Sequence, residues 1–176
     1  MTNKAELIQN ARATGFQYER DCTNCCQSTI AAIQDILGVQ NESVFKAGSG
    51  MAGGIGILCD GVCGGYSGGV MVLSTLFGRD RAHFKDPEVL MPSFELASLL
   101  HERYMQEYGS TICKDIHMKL FGRTFDLWDK VDFEAIEMLG AHEDKCTSVV
   151  ANASAWTTEI ILNELDKHGQ TLENYA

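Results

Sequence analysis

An all-α fold is predicted by three features of the sequence. Apolar residues recur at helical spacing in most segments, no stretch alternates strongly enough to read as a strand or hairpin, and only Pro87 and Pro92 supply proline breaks. With 45% hydrophobic residues over 176 positions, the chain suits one compact core, a single-domain helical bundle over residues 1–176. No tandem repeat or low-complexity tail divides it.

The elements follow in order. Residues Ala5 to Ala13 carry a first helical pattern. Cys26 to Leu37 carry a second, with Ile30, Ile33, Ile36 and Leu37 on one face and Gly38 as the stop. The run "GGVMVLSTLFG" suits a buried helix or a buried strand by periodicity, and its helical neighbours favour helix. "RDRAHFKDPEVLMPS" is a connector. Ser93 is expected to cap a helix ending at Tyr108, with Glu95 in its first turn, Leu96, Leu99, Leu100 and Tyr104 inward, and Gly109 terminating it. A short helical turn starts near Cys113. Phe121 to Asp132 reads as a loop with aromatic anchors, and Asp132 is placed to cap a short helix through Leu139. The last long helix is expected from about Asp144 to Leu165, packing through Val149, Val150, Trp156, Ile160 and Ile161.

A formal charge of −10 argues against a nucleic-acid partner, since only Arg79, Arg81 and Lys85 form a local basic group. No N-terminal apolar run resembles a signal peptide and none later is long enough for a bilayer, so a cytoplasmic protein with no membrane partner is expected. The seven cysteines are an odd number and about 4% of the chain, below the roughly 8–10% of a disulfide scaffold. In a reducing compartment they are expected as thiols, metal ligands or redox centres.

"DCTNCCQS" places Cys22, Cys25 and Cys26 at the start of an expected helix, where backbone N–H groups and the helix dipole favour a thiolate. One or two of them also suit a role as small buried hydrophobes. A thioredoxin-type CxxC reading ranks lower, because no strand precedes the motif. Cys59 and Cys63 are four apart within "GGIGILCDGVCGGYSGG", within reach of one centre. The glycines around them permit unusual backbone angles, and they let the chain wrap an inorganic centre and donate N–H bonds to its sulfurs. Close helix packing explains them equally well. A nucleotide loop does not: there is no GxxxxGK[ST], and no lysine lies between Lys46 and Lys85. "CKDIH" and "HEDKC" pair Cys113 with His117 and His142 with Cys146 at helical spacing, which makes a Cys2His2 zinc site a competitor. His83, His101 and His168 have no such neighbours.

In order, "NCCQSTIAAI", "GMAGGIG" with "VCGGYSGGVMVLSTLFG", "YGSTICKDI" and "DKCTSVVANASAW" resemble the blocks of the C_GCAxxG_C_C family of redox-active proteins, whose domain also occurs in split-Soret cytochromes c. The resemblance implies Cys25, Cys63, Cys113 and Cys146 as the family cysteines and an iron–sulfur cluster or another redox centre as their cargo. Gly65 stands where the family usually has alanine. The absence of CxxCH means that covalent haem does not carry over.

The resulting expectation is an iron–sulfur protein, [4Fe–4S] or larger, that transfers electrons with a donor or acceptor protein or reduces a small molecule. Cys25, Cys63, Cys113 and Cys146 are the first ligands, with Cys22, Cys26 and Cys59 as further ligands. Tyr66, Ser67 and the N–H groups near Gly64 and Gly65 would tune the potential. His117 or His142 would supply protons, and no Ser/His/Asp set can be assembled. The alternatives are a zinc-stapled structural domain and a thiol–disulfide sensor built on Cys22, Cys25 and Cys26. A homodimer is expected from the resemblance, because the split-Soret relatives pair their subunits.

Overall fold

The computed structural model describes residues 3–174, in which eight α-helices and several short turns make an all-α bundle. The first helix, α1 (Lys4–Cys22), runs well past the expected Ala13 and starts where the Asn3 side chain accepts the Ala5 N–H. Cys22 is therefore the last residue of a helix and not at the start of one. Asn24 caps α2 (Cys25–Leu37) by accepting from Gln27 N, and Gly38 ends it at φ 70°, a left-handed conformation that glycine adopts without strain. Asn41 caps the short α3 (Glu42–Ala47) in the same way.

The apolar run is helical, as its neighbours indicate, and α4 (Gly64–Phe77) begins earlier than its hydrophobicity suggests, at the glycines themselves. α5 (Met91–Tyr108) carries Pro92 in its first turn, where the missing N–H costs nothing. Ser93 is thus inside the helix, donating to the Leu90 carbonyl at 2.9 Å, and is not its N-cap. Leu96, Leu100 and Tyr104 are buried as expected, whereas Leu99 faces outward. α6 (Cys113–Phe121) is a full two turns. Asp129 caps α7 (Lys130–Met138), not Asp132, whose carboxylate is already taken by Arg123 and by the Asp126 N–H. A π turn at Ala141–Lys145 leads into α8 (Cys146–His168).

α1, α2, α4 and α8 pack on one another, with α5 against α4 and α8. Their core contains Ile30, Ile33, Leu73, Leu100, Tyr104 and Ile161, all fully buried. A second, smaller cluster of Phe125, Ile136 and Ala141 joins α6 and α7 to the π turn. The space between these two clusters is the site described below.

Glycines let α4 approach its neighbours. A Cβ on Gly68 would come within 2.7 Å of the Cys26 carbonyl oxygen, and one on Gly69 within 2.7 Å of Leu100. Backbone cannot yield as a side-chain tip can. Gly68→Ala is expected to lower the unfolding free energy by about 1–2 kcal/mol in urea titration, overpacking outweighing the roughly 1 kcal/mol that alanine returns in helix propensity. An equal or higher midpoint would contradict this packing.

Candidate metal centre

Cys25 is the first residue of α2, Cys63 the residue before α4, Cys113 the first of α6 and Cys146 the first of α8. Four segments far apart in sequence thus deliver one sulfur each to the same wall. All four cysteines line a cavity of about 100 Å³, together with Glu19, Gly53, Ile57, His117, Ile136, Glu137 and His142. Three of the helices, α4, α6 and α8, begin without a side-chain cap. At α4 the first-turn N–H groups of Gly65 and Tyr66 and the positive end of the helix dipole face the Cys63 sulfur, an environment that favours anions. Cys146 follows the π turn, a local irregularity that often marks functional positions.

The segments are tied to one another by backbone. Val62 and Ile112 form an isolated antiparallel bridge, in which Cys63 N donates to Thr111 O at 2.8 Å and Cys113 N to Gly61 O at 3.0 Å. Lys114 N adds a bond to Cys59 O at 2.8 Å. Residues 53–57 all have positive φ, a left-handed turn in which Gly53, Gly54 and Gly56 are at ease. Ile55 (66°), Ile57 (55°) and Cys59 (63°) are not, and such strain persists only where surrounding bonds enforce it. Here they include Cys59 N to Gly53 O at 2.9 Å and Ile57 N to Ala52 O at 3.1 Å. The glycine run thus divides: positions 53–56 bend the chain, and those of α4 let helices touch.

The sulfurs differ in their surroundings. Burial pushes the thiols of Cys25 and Cys146 well above the ordinary range and raises that of Cys63. The Gly53 N–H, 3.5 Å from the Cys25 sulfur, works against this, as do the N–H groups of Gly65 and Tyr66 at Cys63. A hydrogen bond from the Cys113 thiol lowers Cys59, with help from His117, and raises Cys113. The His117 ring lies between them, Nδ1 4.0 Å from Cys59 Sγ and Nε2 3.6 Å from Cys113 Sγ, and is held edge-on by Phe121 and Phe125. Cys59, Cys113 and His117 are all buried, with donor atoms within 4.8 Å of one another, so this group could hold a metal ion.

The remaining expected residues lie elsewhere. Cys22 is exposed. Cys26 is fully buried between α2 and α4, its sulfur accepting from Ser67 Oγ at 3.7 Å and 4.0 Å from Met71 Sδ; burial raises its thiol to about 11. His142 turns its nitrogens to carboxylates rather than to sulfurs: Nδ1 lies 2.6 Å from Glu137 and Nε2 3.6 Å from Glu19. Glu19 itself was not singled out by the sequence, for no local pattern links position 19 to position 142.

The donor set suits a metal–sulfur group. Neutral thiols predominate in this wall without a cation, and coordination is what deprotonates them. The chain also leaves room beside the sulfurs: a Cβ on Gly64 would overlap Cys25 Sγ, and one on Gly54 would lie 2.8 Å from Cys113 Cβ. No helix of the described residues is long and apolar enough to cross a membrane.

The family model described as "Putative redox-active protein (C_GCAxxG_C_C)" matches residues 23–160. An uncharacterized protein of Archaeoglobus fulgidus is 24% identical over 165 residues, which covers 91% of this chain and 96% of the relative. No solved structure matches.

Proposed function

Because the chain belongs to the C_GCAxxG_C_C family, we propose that its redox activity resides in an iron–sulfur cluster held by Cys25, Cys63, Cys113 and Cys146. One observation carries the reading: these four cysteines, at the starts of four different helices, line a single cavity. Four thiolates complete the usual shell of a [2Fe–2S] or [4Fe–4S] cluster. Bound there, the cluster supplies one-electron chemistry. The chain's part is to place four sulfurs, donate the N–H groups of Gly53, Gly65 and Tyr66 toward them, and exclude bulk water with Ile57, Ile136 and Val149. The function is electron transfer with a partner protein, or reduction of a small molecule admitted to the cavity.

The test is the visible spectrum of protein purified without oxygen, before and after dithionite. A brown band that bleaches on reduction supports the reading; a colourless protein overturns it. Cys22→Ser is expected to leave iron content and spectrum unchanged, because that side chain is exposed and outside the cavity wall. Iron loss in this variant would mean that Cys22 reaches the centre.

A second reading rests on the Cys59, Cys113 and His117 group, whose mixed sulfur and nitrogen donors suit zinc. It gives a stapled structural domain with bound zinc, no labile sulfide and no visible band.

A further inference from the structure

We propose that Glu137, His142 and Glu19 carry protons from solvent to the cavity, so that each electron taken up there is balanced by one proton on Glu19. The inference rests on the thiolate-bound redox centre proposed above.

Glu19 is 2% exposed, the most deeply buried carboxylate among the described residues, and belongs to α1, which begins before the family match at residue 23. One of its oxygens, Oε1, is 3.6 Å from His142 Nε2. The other, Oε2, is buried with no hydrogen-bond partner among the described residues. A carboxylate left half satisfied in a dry wall is costly, and natural chains retain such groups where they have work to do. Across the imidazole, Nδ1 meets Glu137 Oε1 at 2.6 Å, and the Glu137 side chain is 34% exposed. The three side chains therefore run from solvent to the interior as carboxylate, imidazole, carboxylate, and all three line the cavity. An imidazole with an acceptor at each nitrogen can take a proton on one side and release one on the other.

The charges around Glu19 set the direction of the response. It faces His142 of the π turn, Ser28 of α2 and Glu137 of α7, with the sulfurs of Cys25, Cys63 and Cys146 close enough to feel its charge. Neither Glu19 nor His142 hydrogen-bonds a cysteine sulfur among the described residues. Burial raises Glu19 and His142 lowers it. Adding an electron beside it adds negative charge, which favours the protonated acid further. The balanced step is one electron from an external one-electron donor and one proton from water, entering through Glu137 and His142 and resting on a Glu19 oxygen. Net charge in the cavity is unchanged.

The experiment measures midpoint potential against pH, from about pH 6 to 9, for wild type, Glu19→Gln and Glu19→Asp, with iron and sulfide assayed in each. The wild type is expected to slope by about 59 mV per pH unit within part of this range, the tenfold factor for a one-electron couple. In Glu19→Gln the slope should disappear except at the acid end of the range, where His142 itself titrates, and Glu19→Asp should retain it. A flat wild type, or a glutamine variant with the wild-type slope, overturns the proposal. Absence of iron and sulfide from the wild type is a different failure, that of the centre itself, and removes the inference with it. If Glu19→Gln does not fold, His142→Gln decides: losing the imidazole raises Glu19, so the sloping region must move to higher pH, and an unmoved region counts against the pathway. A metal-free readout is the NMR titration of His142, raised by Glu19 in the wild type and expected to fall toward the ordinary histidine range in Glu19→Gln; an unchanged titration also overturns it.

Discussion

Cys63→Ser is expected to lose most of the bound iron, with the visible band, while the chain remains folded. Cys63 is 7% exposed and stands immediately before α4, where the N–H groups of Gly65 and Tyr66 and the bridge from Thr111 fix its position. A serine hydroxyl would keep the shape but be a harder and far less acidic donor than thiolate, poorly matched to iron–sulfur ligation. Iron and labile sulfide per chain, with circular dichroism to verify the helices, check the result. A full iron content in this variant would remove Cys63 from the ligand set.

Gly64→Ala should be nearly as damaging by a different route. Its added methyl would overlap the Cys25 sulfur and lie 2.9 Å from the backbone nitrogen of Cys26. The sulfur can rotate away, but only by leaving the position from which it faces the cavity, and the α2 backbone cannot follow without repacking against α4. The expected outcome is a stability loss of about 1–3 kcal/mol by denaturant titration, accompanied by iron loss. Unchanged stability and iron together would show that α2 and α4 have more slack than their geometry indicates.

The helices that position these residues are largely written in local sequence. α2 combines an apolar face at helical spacing with an Asn24 cap and a Gly38 stop, each a short-range signal. α4 is harder to delimit, because its first turns are glycine-rich and intrinsic propensity disfavours a helix there; its tertiary contacts decide. Ser93 and Asp132 are both plausible caps by residue type. Each is displaced by a neighbour, Pro92 setting the α5 start and Asp129 being free to cap α7 while Asp132 is bound by Arg123.

The cysteines illustrate the same boundary. Cys59 and Cys63 are four apart in sequence; the left-handed turn at 53–57 carries Cys59 beside Cys113 and His117, which line the main cavity with Cys63, while Cys59 itself is not part of that lining. The equal spacing of His142 and Cys146 suggested a joint sulfur and imidazole face. His142 lies within the π turn that precedes Cys146, and its imidazole is held by Glu137 and Glu19. Glu19 lies beyond local reasoning altogether, since its role depends on α1 packing against α8 and the π turn.

The most direct measurement is iron, acid-labile sulfide and zinc per chain in protein purified without oxygen. A cubane held by Cys25, Cys63, Cys113 and Cys146 predicts about four iron and four sulfide with little zinc. Zinc without sulfide, or no metal at all, would contradict the account and leave a stapled helical domain or a set of free thiols.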